Sequence, residues 1–237
     1  MRRYLARVLA LVVLLTLAGS GTVALWLQQT RVTAAGLPPL RTGDIVFQES
    51  GSSQTLAIAL ASRSLYTHTG IVEINAQGEP FVVEAAARVQ SIPLDAWISR
   101  GTAGRITIKR VRGLSESDAR KALDAAHVYD DRPYDFFFHE DNETIYCSEL
   151  VRRAFDEGPG ILLVQMQTPR DLYIDNAAVR SLIEARWTKH PLCLKSSAAS
   201  FSACYEIILN QPLVTPAAIA RDAKLDTVFS NFALAAD

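Results

Sequence analysis

The chain has 237 residues, with 24 basic against 25 acidic side chains and a formal net charge of -1. That length holds one sizeable domain plus an appendage, and a near-neutral balance without basic clusters excludes a nucleic-acid partner. With 49% hydrophobic and 21% charged residues the composition is globular, without internal repeats or low-complexity tracts.

Residues 1–27 read as a membrane anchor or signal segment. Arg2, Arg3 and Arg7 precede an uncharged stretch from Val8 to Leu27. That stretch is ~20 residues, enough to cross a hydrocarbon core as a helix. The arginines lie before it, so the positive-inside rule leaves the rest outside the cytoplasm. Two outcomes stand open. One is a single-pass inner-membrane anchor; the other is a cleaved signal and a secreted or periplasmic protein. The apolar run resumes after Ala18-Gly19-Ser20 and ends at Trp26-Leu27, which favours the anchor. Residues 28–39 form a linker ending in Pro38-Pro39. Residues 40–190 read as the main domain, and 191–237 as an extension of unclear structure.

The domain opens with a turn and a short strand, Leu40 to Phe47, in which Asp44 beside Gly43 is a turn or capping residue. Ser52 or Ser53 can cap a short helix through Leu56 and Leu60. From His68 a strand runs to Ile74, with His68, Gly70, Val72 and Ile74 on one face. Asn75 to Pro80 is a turn, and Phe81 to Ala85 the returning strand. A loop containing Pro93 and Trp97 leads to a strand over Ile106–Val111. Ser115-Glu116-Ser117-Asp118 opens a helix reaching about Val128. After the Asp131–Asp135 loop and Phe136-Phe137-Phe138 comes Ile145-Tyr146-Cys147-Ser148-Glu149-Leu150-Val151. Leu150, Val151, Ala154 and Phe155 share one helical face, and Asp156, Gly158 and Pro159 stop the helix. A further loop reaches a turn at Thr168–Leu172, and beyond Trp187 the signals weaken.

Cys147 therefore falls in the first turn of a buried helix. Free N–H groups and the positive dipole end there lower a thiol's pKa. It is either a nucleophile or a small core residue. The three cysteines leave Cys147 unpaired if Cys193 and Cys204, close in sequence, form a bridge outside the cytoplasm.

A thiol nucleophile needs a base, and the base an orienting group. His68 begins a strand in an apolar setting, whereas His127, His139 and His190 read as surface residues. Glu84 is a carboxylate within Val82-Val83-Glu84-Ala85-Ala86, where an unpaired charge is costly. A three-residue loop Ala76-Gln77-Gly78, with Gly78 left-handed, sets Asn75 against Glu79 and Gly70 against Glu84. His68 and Glu84 then share a face one diagonal step apart. Tyr146 and Tyr66 are possible oxyanion or substrate contacts, with core packing the simpler role. A zinc site from the same residues lacks ligands, since closed sites want four, so no metal and no cofactor is expected.

The order Leu40-Arg41-x-Gly43-Asp44-Ile45, Thr67-His68-x-Gly70-Ile71, Glu84 and Tyr146-Cys147-Ser148-Glu149-Leu150-Val151 resembles the permuted papain-like amidases, the YiiX/YaeF-like branch of the NlpC/P60 superfamily. In that branch the histidine precedes the cysteine. The resemblance implies an α+β fold: a small antiparallel sheet with the cysteine helix packed on it, preceded here by the N-terminal apolar helix. It implies a Cys147–His68–Glu84 triad and an acyl-thioester mechanism. Cell-wall peptides are the substrate class by resemblance. A lipid-directed acyl hydrolase or acyltransferase is the alternative, and a non-catalytic binding module the second. The expected partners are an amide- or ester-containing substrate and, through the N-terminal segment, a membrane.

Overall fold

The computed structural model describes residues 32–141 and 143–232. The expected N-terminal anchor lies outside these residues. Among the described residues no helix is long and apolar enough to cross a membrane.

Six strands form one fully antiparallel sheet: β1 (Ile45–Gln48), β2 (His68–Ile74), β3 (Pro80–Ala85), β4 (Val89–Pro93), β5 (Thr107–Val111) and β6 (Leu225–Ser230). Their spatial order is β4-β3-β2-β1-β5-β6. The β2–β3 hairpin closes as its sequence dictates. Gly78 has φ +82°, and the Asn75 N–H donates to the Glu79 carbonyl at 3.0 Å. The register pairs Ile71 with Val83 and Val72 with Val82. Carried further, it sets Gly70 opposite Glu84 and His68 on the diagonal.

The sheet separates two apolar layers. On one face Ile45, Phe47, Ile71 and Val83 pack against two helices, α3 (Glu116–His127) and α4 (Cys147–Glu157). The α4 stripe of Leu150, Val151, Ala154 and Phe155 is fully buried there. Burying four such side chains stabilises the face by roughly 1.5–3 kcal/mol for each large one. Gly158 ends α4 because a Cβ there would overlap the Lys121 carbonyl of α3. On the other face Val46, Val72, Val82 and Ile108 pack against α2 (Leu94–Arg100) through Leu94, Trp97 and Ile98.

Local chemistry explains most element ends. Ser115 caps α3, its Oγ accepting from the Asp118 N–H at 3.1 Å. Asp44 is indeed a turn residue, accepting from the Arg41 N–H at 2.8 Å. It is also fully buried, and Arg110 grips both its oxygens at 2.6 and 2.8 Å. Helix α1 (Thr55–Ser62) departs from expectation, because neither Ser52 nor Ser53 caps it with a side chain. The Ser52 carbonyl instead accepts from the Thr55 N–H at 3.2 Å. The expected loop around Pro93 and Trp97 is in fact β4 followed by α2.

The residues beyond 190 take part in both sheet and site. A cap is built from α5 (Ala177–Glu184), α6 (Pro191–Lys195) and α7 (Phe201–Ile208). Cys193 and Cys204 are bridged, with Cα atoms 5.2 Å apart, at the centre of the cap's own small core with Ile183, Trp187 and Ile208. The chain then runs past the start of α4, forms α8 (Pro216–Ala220), and adds β6 to the edge of the sheet beside β5.

Gly70 marks the tightest point between β2 and β3. A Cβ there would stand 2.5 Å from Val82 Cγ1 and 2.8 Å from the Val83 carbonyl oxygen. Gly70→Ala should therefore destabilise the domain by about 1–3 kcal/mol. Urea denaturation would register this as a lower midpoint, whereas an unchanged midpoint would mean that the strands yield freely.

Candidate active site

Most of α4 lies on the face opposite His68, yet its first turn reaches the start of β2. There the Cys147 thiol comes within interaction range of the His68 ring, each shifting the titration of the other. His68 Nε2 lies 2.6 Å from Glu84 Oε2. With Nε2 committed to Glu84, Nδ1 is the nitrogen left for the thiol. The other Glu84 oxygen, Oε1, accepts from Gln90 Nε2 at 2.9 Å and Arg100 Nη2 at 2.5 Å. Trp97 stacks beside the imidazole with ring centroids 6.0 Å apart. The His68 ring is thus held by strand register below, by an indole at its side and by a fixed carboxylate behind.

The charges follow from this geometry. Burial alone would lower His68, but its bonds to Cys147 and Glu84 outweigh that and raise it to about 9. Burial would raise Glu84, but the bond and charge of His68, with help from Gln90 and Arg100, lower it to about 2. For Cys147, burial pushes the thiol up. The bond and charge of His68, together with main-chain N–H groups of Thr69 and Ser148, hold it below its ordinary value. The same pairing thus holds the thiol down and the imidazole up.

Of the two tyrosines named from sequence, neither is directed at the thiol by these bonds. The Tyr146 hydroxyl accepts from the Val214 N–H at 3.1 Å, and Tyr66 bonds Thr107 Oγ1 at 2.9 Å. Both rings are buried in the core. Tyr134, in a loop by sequence, lines the cavity beside Cys147. A loop tyrosine carries little signal of its own, and this one is placed by an isolated parallel bridge to Ile145 and by its N–H bond to the Ala87 carbonyl. His190, expected at the surface, is buried at 3% exposure. The bridged cap folds it edge-on against Phe137, centroids 5.3 Å apart.

Cys147 lies on the wall of a cavity of about 130 Å³. Ala57, Ile58 and Ala61 of α1, Val179, Leu182 and Ile183 of α5, and Leu172, Ile174 and Leu213 give it an almost wholly apolar lining. The cap supplies one side and α1 the other. The Ser148 hydroxyl donates to the Val214 carbonyl at 2.9 Å, pinning the 213–215 strip across the start of α4.

Two consequences can be measured. Cys147 of the intact protein should react with iodoacetamide at pH 6.5, where an ordinary thiol is nearly all protonated. In His68→Ala only the Thr69 and Ser148 N–H groups still oppose burial, and alkylation at that pH should fall tenfold or more. Equal rates in the two proteins would show that His68 does not ionise the thiol. In stability, Glu84 contributes fully above pH 4.5 and loses its contribution as pH falls toward 2. His68 contributes fully below 6.5 and loses its contribution as pH rises through about 9.

A family model described as permuted papain-like amidase, YaeF/YiiX, C92 family, matches residues 39–229. Uncharacterized protein YiiX of Escherichia coli K12 is 32% identical over 195 residues, spanning 82% of this chain and 88% of that protein. A crystal structure described as metalloprotein YiiX from Escherichia coli O157:H7 superposes with a TM-score of 0.71. It is 32% identical and covers 81% of this chain and 98% of that one. The donor set here does not fit a resident metal. Glu84 spends both oxygens on His68, Gln90 and Arg100, and among the described residues no three His, Cys, Asp or Glu side chains converge. With most of its length matched by that model and by a relative at this identity, the chain belongs to the permuted papain-like amidase family.

Proposed function

We propose that this protein is a cysteine acyl hydrolase that cleaves an amide or ester whose acyl group is a long apolar chain. The single observation that carries this reading is the apolar cavity at Cys147. A cell-wall peptide would bury polar and charged groups against aliphatic side chains, at a cost of several kcal/mol for each left unpaired. An alkyl chain would lose nothing there and gain about 0.8 kcal/mol per buried methylene. The lipid-directed reading is therefore favoured over the cell-wall one.

The chemistry uses Cys147, His68 and Glu84. The thiolate attacks the carbonyl carbon and forms a tetrahedral oxyanion. The Tyr134 hydroxyl and a free N–H at the start of α4 are the donors placed to stabilise it. His68 gives its proton to the departing amine or alcohol as the C–N or C–O bond breaks, leaving an acyl-thioester on Cys147. Water then attacks the thioester and His68 takes its proton. The C–S bond breaks, and the carboxylic acid leaves with thiolate and imidazolium restored. Glu84 keeps the ring oriented and stabilises its charged form. Placement outside the cytoplasm is supported by the Cys193–Cys204 bridge and by the arginine-then-apolar N-terminal sequence.

On a series of acyl esters with a common leaving group, kcat/KM should rise with chain length by up to about fourfold per methylene until the cavity is full. Ile183→Trp, which fills the cavity, should move the optimum to shorter chains. Mass spectrometry of the quenched reaction should find the acyl group on Cys147 and no adduct in Cys147→Ala. Cleavage of cell-wall peptides together with a flat response to chain length would overturn the proposal.

A further inference from the structure

Among the residues lining the otherwise apolar cavity are Arg186, His190 and Gln211. Arg186, just after α5, donates from Nη1 to Gln54 Oε1 at 2.7 Å and to the Phe136 carbonyl at 3.0 Å. Both acceptors are neutral, and among the described residues no carboxylate forms an ion pair with this guanidinium. His190 is 3% exposed, and neither ring nitrogen has an aligned hydrogen-bond partner, although Gln211 and the Phe137 carbonyl lie close. Gln211 is equally buried. Its Nε2 is spent on the Phe137 and Phe138 carbonyls at 2.9 and 3.2 Å, which leaves Oε1 without a partner.

A cation without a counter-ion and two buried side chains with unmet polar atoms thus share the lining of one cavity. Native structures leave few buried polar groups unpaired, and each such group calls for a reason. Solvent does not supply one for His190 or Gln211, which are almost fully enclosed. Nor are the three scattered, because all of them engage the Phe136-Phe137-Phe138 run: Arg186 and Gln211 through its carbonyls, His190 through the Phe137 ring. The position relative to the chemistry is also fixed. Arg186, Tyr134 and Cys147 line the same cavity.

We propose that Arg186 recognises an anionic group, a carboxylate or a phosphate, carried by the substrate close to its scissile acyl bond, with His190 and Gln211 offering neutral hydrogen bonds to the same polar portion. This rests on the acyl-hydrolase reading and narrows it, making the substrate an anionic amphiphile. Its alkyl chain fills the aliphatic part of the cavity and its charge faces the Arg186 wall. Planar guanidinium suits either oxyanion, since both accept two parallel N–H bonds.

The test uses the full-length protein in neutral detergent micelles and three substrates with the same lauroyl chain. Monolauroylglycerol is neutral, lauroyl-glycerophosphate carries a phosphate, and N-lauroylglycine a carboxylate. The intact protein should prefer one or both anionic compounds by roughly tenfold or more in kcat/KM, and which one identifies the anion. Arg186→Gln should lose that preference while its rate on monolauroylglycerol stays within about twofold. Binding to Cys147→Ala, with and without Arg186→Gln, should show the same selective loss by calorimetry without any turnover. Equal losses on neutral and anionic substrates would make Arg186 a structural tie for the Phe136 loop and overturn the inference. Turnover of all three without preference would overturn it and leave the acyl-hydrolase reading standing. Neither turnover nor binding of any of the three would overturn both.

Discussion

Glu84 is a carboxylate with no exposure to solvent, near the end of β3 between β2 and the edge strand β4, and the site is built around satisfying it. An unpaired charge at such a place costs several kcal/mol. Its two oxygens are met from three different elements: His68 of β2, Gln90 of β4, and Arg100 at the end of α2. These bonds make the register of three strands and the placement of one helix interdependent. A slip of one residue in β2 would turn His68 to the opposite face and strand the carboxylate. The interaction that orients the imidazole is therefore also one that specifies the sheet, so preorganisation of the base comes with the fold.

Much of this was legible in the sequence because the decisive contacts are local. The hairpin from Asn75 to Glu79 is set by a glycine that takes a left-handed φ, and its length alone fixes the diagonal between His68 and Glu84. Ser115 and the stripe of α4 likewise carry their own signals. What stayed hidden depends on distant partners. Strand β4 and helix α2 stand where the sequence suggests a loop, although Leu94, Trp97 and Ile98 have helical spacing, because Pro93 is a breaker inside most elements but here ends β4 and precedes α2. Tyr134 sits in an irregular loop whose course is set by a bridge to Ile145, and no periodicity reports that. His190 is buried only because α5, α6 and α7 fold over it, and β6 finds its edge only once β5 exists. Asn176 and Ser200 do cap α5 and α7 with their side chains, but helices this short are marginal alone, so tertiary contacts decide them.

The cap links the disulfide to the cavity. Its helices are short, and α6 has five residues, too few to be stable alone in water. Their own core is small, with Cys193 and Cys204 at its centre. Closing that loop restricts the unfolded cap and so offsets part of the ordering entropy that its few apolar contacts cannot. The same cap supplies Val179, Leu182 and Ile183 from α5, and Arg186 and His190 from the stretch between α5 and α6, to the cavity. Cys147, His68 and Glu84 and the cavity wall opposite thus draw their order from different sources, one from the sheet and the other from a cross-linked appendage.

The thiolate and imidazolium can persist beside an apolar cavity because charge alternates along one line. With Cys147 ionised the order is thiolate, imidazolium, carboxylate and guanidinium, and hydrogen bonds join His68 to Glu84 and Glu84 to Arg100. The line begins at a buried thiol and ends at Arg100, whose side chain is 43% exposed. Each internal charge is flanked by its opposites, so the low dielectric that penalises an isolated ion here strengthens its attractions. Only the last member meets water, and it is the cation whose charge is least sensitive to its surroundings. A thiol placed at a helix start without this line would be raised by burial. With the line behind it, the same burial removes competing water from the nucleophile and leaves the ionised form favoured.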